Sequence, residues 1–487
     1  MTPAPLPTFD RRFAQLPPLF YRAVRPTPLA DPYWVSINHD LAAELGLTLD
    51  GTADDARLAL FSGNLAQPDS MPLAALYAGH QFGVWVPQLG DGRALLLGEL
   101  AHRDGPMEVQ LKGAGRTPFS RMGDGRAVLR SSIREYLCSE AMHALGIATT
   151  RALCIVGSDE TVWRESAETV AVVTRVAPSF IRFGSFEVFY HRGQHEAIGQ
   201  LADYVLQHHF PACLQAERPY AALFAEICRR TADTVAAWQA VGFCHGVMNS
   251  DNMSILGLTL DYGPFGFLDA FDAGHICNHS DYAGRYAYNQ QPRVAHWNLL
   301  CLASALQPLV AEDDLLAALD AFQAQFGAAW LARWRAKLGL FAEFDGDEAL
   351  LQALLLLLQA NQVDLTVFFR RLSRLPLAGA DDDVVALFAA DPAAWRDWCL
   401  RYRARLELER SHDAQRHAAM LAVNPKYILR NHLAETAIAR ARDAHDFDEI
   451  ARLQRCLARP FDEQPEFEDY AALPPAWAHD ICLSCSS

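Results

Sequence analysis

What this chain has little of narrows its function first. No segment strings together the 18 or so apolar residues of a membrane span, and the richest run, residues 350–358, is broken by Gln352 and reads as a buried helix. Basic residues are outnumbered, 42 Lys and Arg against 58 Asp and Glu, for a formal net charge of −16. That balance argues against a general nucleic-acid binder, whose affinity comes from clustered cations displacing counterions. A nucleotide needs only a local basic pocket and stays open. The eleven cysteines are odd in number and mostly scattered, which suits reduced thiols better than a disulfide framework. Met1-Thr2-Pro3-Ala4-Pro5 holds no apolar signal core and Asp10-Arg11-Arg12 follow, so a cytoplasmic location is the expectation. No His-Glu-x-x-His pattern marks a metal site, and His275 with His279 reads as surface. With 51% hydrophobic residues, the 487-residue chain can bury a sizeable core as one large domain or two to three average ones.

The most informative absence is a single aspartate. His245-Gly246-Val247-Met248-Asn249-Ser250-Asp251-Asn252 lines up with the kinase catalytic loop His-Arg-Asp-x-x-x-x-Asn, and Asp261-Tyr262-Gly263 stands where Asp-Phe-Gly follows. Val247 occupies the place of the catalytic Asp and cannot accept a proton. Asn252 and Asp261 keep the hard oxygens that magnesium needs alongside substrate phosphates. Residues 254–256 and 258–260 around Gly257 read as a short hairpin between those two ligands. Read alone, the same stretch is equally a polar loop and a turn.

Upstream, residues 1 to about 80 are Pro-rich and irregular with one helix-like piece near Leu41 and Leu45. Leu89-Gly90-Asp91-Gly92-Arg93 before an apolar run is a hairpin signature, and its glycines would let backbone approach phosphate, although Leu95 stands where a kinase loop has its third glycine. Glu108-Val109-Gln110-Leu111-Lys112 is a strand ending in lysine. Two Gly-Arg turns follow, Gly115-Arg116 and Gly125-Arg126, and such backbone NH groups with cations make an anion nest. Ser132-Ile133-Arg134-Glu135 has a capping-box pattern, so Glu135 either caps its own helix or pairs with Lys112, with Glu140 behind it. Strand-like runs at residues 153–156 and 169–173 lead to Arg175 and Arg182, arginines suited to an anion clamp. A long helix over residues 220–240 ends at Gly242 and delivers the chain into the catalytic loop. Residues 295–460 read as helix after helix, and the polar stretch from Asn424 to His432 carries no assignable role on its own.

Taken together the order is Gly-rich loop, Lys strand, Glu helix, catalytic loop without its Asp, and Asp-Tyr-Gly. The chain resembles the selenoprotein O family of kinase-like protein adenylyltransferases. The likeness spans nearly the whole length, including residues 111–121 (Leu-Lys-Gly-Ala-Gly-Arg-Thr-Pro-Phe-Ser-Arg), residues 424–431 and the Cys485-Ser486-Ser487 ending. The resemblance implies an α+β, protein-kinase-like bilobal fold with a β-rich N-lobe and a large helical C-lobe. It implies ATP turned around in the cleft, so that AMP passes to Ser, Thr or Tyr hydroxyls of target proteins with magnesium or manganese, and no nucleic-acid or membrane partner. Carried over by position, Gly90, Gly92, Arg93, Lys112, Asp124, Gly125, Arg175 and Arg182 contact the nucleotide. Glu135 orients Lys112, Asn252 and Asp261 hold the metal, and Asp251 matches the base. The expected organisation is an N-terminal extension at 1–80, an N-lobe at 81–190, a C-lobe at 191–470 with its catalytic loop at 245–263, and a redox tail at 471–487.

Two other readings stay open at this level. A small-molecule or protein phosphotransferase is one, with Val247 against it. A catalytically inactive kinase-like scaffold is the other, with the retained lysine and metal ligands against it. In the tail, Cys482 and Cys485 have a Cys-x-x-Cys spacing suited to reversible oxidation, and a bridge from Cys485 to Cys277 is the regulatory expectation, equal in weight to two unremarkable thiols.

Overall fold

The computed structural model describes residues 6–52, 56–65 and 71–484. Its architecture is mixed, with a sheet-rich N-terminal region and a helical C-terminal region. Strands β1 (Tyr21–Ala23), β2 (Tyr33–Ile37), β3 (Leu73–Ala75), β6 (Ala94–Leu100), β7 (Met107–Lys112), β8 (Ala127–Val128), β9 (Arg151–Trp163) and β10 (Ala167–Ala177) form one antiparallel sheet. Its order is β1-β3-β6-β7-β10-β9-β2, with β8 also paired to β10. Strands β4 (Gly79–Gln81) and β5 (Val84–Val86) make a separate ribbon. β6 is buried along its whole length, which is why it reads as an unbroken apolar run rather than an alternation.

Three features differ from the sequence reading. Residues 1–80 are not merely irregular, because β1, β2 and β3 pair into the main sheet and α1 (His39–Glu44) and α2 (Ala56–Phe61) flank them. Such short strands lack the length for a visible alternation. The Gly90-Asp91-Gly92 loop is not a hairpin turn, since β5 before it pairs with β4 while β6 after it pairs with β7. Residues 254–260 do not fold back on themselves as a hairpin either. Their backbone is claimed from outside, Ile255 N–H donating to Ile181 O, Thr259 N–H to Ala148 O, and Thr150 N–H to Thr259 O.

Helix α3 (Leu129–Ala144) packs on β9 and β10. It starts three residues before the capping pattern, at an N-cap, Val128, whose side chain forms no cap. Ser132 is instead buried within the helix, and Glu135 points its carboxylate at Lys112. After α4 (Gly184–His191) and α5 (His195–His209), α6 (Pro219–Val241) opens on Pro219 in its first turn and closes at Gly242 in the left-handed region, φ 74°. It leads through β11 (Phe243–Cys244) to the loop at 245–252, and β11 pairs with β12 (Gly266–Phe267) beyond it.

The helices that follow are α7 (Gln291–Leu306), α8 (Glu312–Lys337), α9 (Asp347–Ala360), α10 (Leu365–Leu372), α11 (Asp382–Val385), α12 (Pro392–Leu408), α13 (Asp413–Val423), α14 (Asn431–Ala444) and α15 (Asp448–Leu457). α8 is long and apolar enough to cross a membrane by length and composition alone. It packs against α6. A second core forms among the later helices around Trp395, Trp398 and Tyr402, which share one face of α12 and stack in sequence. α14 and α15 then return to pack on α3. A Cβ at residue 242 would meet Leu365 Cδ2 at 2.8 Å in a conformation that L-residues avoid. Gly242→Ala should therefore lower unfolding free energy by about 1–2 kcal/mol, measured by denaturant titration.

Candidate functional site

The ends of these elements converge on a cavity of about 570 Å³. Gly90, Gly92 and Arg93 line it from the loop before β6, Lys112 from the end of β7, and Asp124 and Gly125 from the turn before β8. Arg175 comes from β10 and Arg182 from the segment entering α4, while Asp251, Asn252 and Asp261 come from the 245–252 loop and the stretch after it. Every nucleotide, metal and base position named from the sequence is on this wall. Glu135 stands one layer behind, on α3, where its carboxylate accepts a 2.5 Å hydrogen bond from Lys112 Nζ. Of the two roles open to Glu135, pairing with Lys112 is the one realised, because α3 begins too early for Glu135 to cap it.

Asp261 is the electrostatic centre. Its φ of 58° lies in the left-handed region, which Asp tolerates better than most residues. One carboxylate oxygen accepts from Arg175 at 2.5 Å and lies 3.8 Å from Lys112 Nζ, and the other is bound by Arg182. Burial alone would lift the Asp261 carboxyl, but Arg182, Arg175 and Lys112 hold it well below the usual carboxylate range. Burial pushes the Lys112 ammonium below its ordinary value, with Glu135 and Asp261 pulling against that. Arg175 also donates to Glu135 at 3.2 Å and to Gln110. Among the described residues, Arg93 forms no direct ion pair or side-chain hydrogen bond, and the charges of Glu135 and Asp261 act on it from a distance. Seven arginine and lysine side chains line the cavity against four aspartates, with Glu135 behind them, a local positive excess in an acidic chain.

Asp251 differs in kind. One of its oxygens accepts from Gln81 at 3.1 Å, and the other is buried with no hydrogen-bond partner. Burial pushes its carboxyl up to about 7, opposed first by the Gln81 hydrogen bond and then by Arg182. A carboxylate poised there can take a proton near neutral pH. Its seat depends on Gly79, where a Cβ would meet Asp251 Oδ1 at 2.7 Å. Asn252 donates from its amide nitrogen to Val247 O at 3.0 Å, which leaves its carbonyl oxygen for other use. Asn252 and Asp261 therefore offer hard oxygens of the kind magnesium or manganese takes, and that donor set fits such an ion.

Several wall residues escaped the sequence reading. Gln81 lies 170 positions from the aspartate it contacts, and no local motif announces it. Arg164 grips Asp124 with both terminal nitrogens, at 2.7 and 2.9 Å, and Asp124 also accepts from Arg126 N. The carboxylate of Asp124 therefore anchors its own loop. Asp91, buried between Ala75 N and Gln110, ties the Gly90-Asp91-Gly92 loop to the sheet. In the polar stretch 424–432, Asn424 bonds Lys337 O and Ser373, Arg430 pairs with Asp269 and Asp364, and Asn431 accepts from Arg134.

Cys277 is buried and its thiol donates to Cys244 O at 3.4 Å, whereas Cys485 lies outside the described residues. The preceding tail does reach this neighbourhood, because His279 N–H donates to Leu483 O at 2.7 Å and Cys482 Sγ lies 3.9 Å from His279 Nδ1.

Comparison with known proteins places the chain in a family. The family model described as protein adenylyltransferase SelO matches residues 6–458. The protein nucleotidyltransferase YdiU of Cupriavidus pinatubonensis is 56% identical, covering 99% of this chain and 96% of its own length. The protein nucleotidyltransferase YdiU of Paraburkholderia xenovorans is 55% identical, covering 98% and 95%. The class is thereby defined as an enzyme that transfers a nucleotide to protein with ATP as substrate. Within that class, the chain belongs to the SelO family of protein adenylyltransferases.

If Asp251 must be ionised to act, kcat/KM for the acceptor rises with pH through a midpoint near the carboxyl's value of about 7. Gln81 lowers that value, so Gln81→Ala should move the midpoint to higher pH. An unmoved midpoint would separate Gln81 from the ionisation that limits the rate.

Proposed function

We propose that the chain moves AMP from ATP to the hydroxyl of a protein Ser, Thr or Tyr, on a protein-kinase-like bilobal scaffold. The scaffold reading is supported by the order of Gly-rich loop, Lys strand, Glu helix, catalytic loop and Asp-Tyr-Gly. The observation that carries the chemistry is the pairing of Val247 at the usual base position with Asp251 in the cation-lined cavity. Loss of a general base typically costs roughly 10²- to 10⁴-fold, so γ-phosphoryl transfer past Val247 would be slow.

In the adenylyl reading Asp251 takes the proton from the acceptor hydroxyl, and the hydroxyl oxygen attacks the α-phosphorus. The bond from that phosphorus to the bridging oxygen breaks, and pyrophosphate leaves with the electron pair. Arg93, Arg175, Arg182 and Lys112 meet the charge that develops on the departing phosphates. Asn252 and Asp261 would hold magnesium or manganese, which supplies further charge neutralisation on the phosphates when bound. The arginines that neutralise Asp261 are the same groups phosphates would attract, so their binding frees its oxygens.

ATP labelled at the α- or the γ-phosphate tests this. Label on protein from α-ATP alone, with pyrophosphate released, is expected, and label from γ-ATP alone would mean a kinase. Asp261→Ala and Lys112→Ala should each reduce transfer by roughly 10²-fold or more, read as label incorporated at saturating magnesium. Asp251→Asn should lose roughly 10² to 10⁴ while still binding ATP. Substantial activity in Asp261→Ala would remove that residue from the site.

A further inference from the structure

Behind the catalytic loop lies a cluster for which nucleotide chemistry has no use. His80 on β4, Glu187 on α4 and Cys301 on α7 offer ligand atoms that all lie within 4.8 Å of one another. His80 Nδ1 and Glu187 Oε2 are 2.7 Å apart. Glu187 is 1% exposed, and its other oxygen, Oε1, is buried with no hydrogen-bond partner. A carboxylate oxygen taken out of water and left unpaired is costly, and a cation is the partner that removes the cost.

We propose that His80, Glu187 and Cys301 bind a zinc-type transition-metal ion, separate from the ion expected at Asn252 and Asp261. Three arguments select that class. A thiolate and an imidazole are ligands for zinc and its neighbours, whereas magnesium and calcium take oxygen. One thiolate and one carboxylate balance the charge of a divalent ion, with the thiol proton released to solvent on binding. Bond lengths of about 2.0–2.3 Å in a tetrahedron put ligand atoms roughly 3.5 Å apart, within reach of small side-chain rotations from the present spacing. His191 lies one turn beyond Glu187 on α4, with its ring 6.1 Å from that of His80, so a fourth protein ligand is close by. Trp85 and Trp297 pack around the His80 ring and limit water on that side.

The position gives the ion a consequence. His80 N–H donates to Ser250 Oγ at 2.8 Å, and the next residue, Gln81, holds Asp251. An ion joining β4 to α4 and α7 would fix the strand on which Asp251 rests.

The test uses the full chain, dialysed against chelator and titrated with cobalt(II) in excess magnesium, which occupies the oxygen-ligand site. One equivalent of cobalt should produce a thiolate-to-cobalt charge-transfer band that zinc(II) bleaches, and the ion should raise the melting temperature. Cys301→Ser should abolish the band. His80→Gln and Glu187→Gln should each weaken cobalt binding roughly tenfold or more. Cys482→Ser, which alters the exposed thiol beside His279, should leave the band unchanged. No band in the parent chain, or a band that survives Cys301→Ser or disappears with Cys482→Ser, overturns the proposal. Should Cys301→Ser not fold, the two glutamine variants decide, since unchanged cobalt affinity in both has the same force.

Discussion

The bond on which the site depends is the one between Asp261 and its cations. A half-buried carboxylate is stabilised by pairing, and Arg175, Arg182 and Lys112 reach it from β10, from the start of α4 and from β7. Each cation in turn has a second partner: Gln110 for Arg175, the backbone oxygen of Asp251 for Arg182, Glu135 for Lys112. The sheet, α3 and the catalytic loop are thus tied through one side chain, which is itself held in a left-handed backbone conformation. Packing positions those elements, and this knot of charge sets their register around the cavity.

The two carboxylates of the catalytic segment are driven apart by their surroundings. Asp261, half-buried, is surrounded by cations and stays ionised, while the buried Asp251 has one side-chain amide donor and one unpartnered oxygen. At Asp251 burial therefore outweighs what opposes it, the Gln81 hydrogen bond first and then Arg182. Two chemically identical groups ten residues apart are consequently pushed in opposite directions, one carboxyl held low and one raised.

How much of this could be read from residues alone depended on distance along the chain. Lys112, Asn252 and Asp261 were legible because their spacing within short motifs reflects local backbone geometry. Glu135 was found by position in a helix, although where that helix starts was misjudged, since burial of Ser132 competes with the capping role its type suggests. Gln81, Asp91 and Arg164 were not legible, because their partners are set by how the sheet folds. The short strands of the first 80 residues failed for a related reason: β1 and β3 are three residues each, too brief for periodicity, and exist because neighbouring strands offer them hydrogen bonds. Residues 254–260 looked like a hairpin by composition, but their backbone groups found better-placed partners elsewhere.

Helix α3 is held on several sides. Buried Arg134, the neighbour of Glu135, donates to Phe265 O at 2.7 Å and to Asn431 at 3.3 Å, and stacks on the Phe265 ring. One turn on, Glu140 accepts from Arg151 and Asn38. Were α3 to swing outward, Glu135 would leave Lys112. Here the swing would break a buried arginine from its carbonyl and tear α3 away from α14 and α15 as well as from the sheet. The Lys112–Glu135 pair is consequently secured by contacts on several sides of α3, and moving this helix would break all of them together.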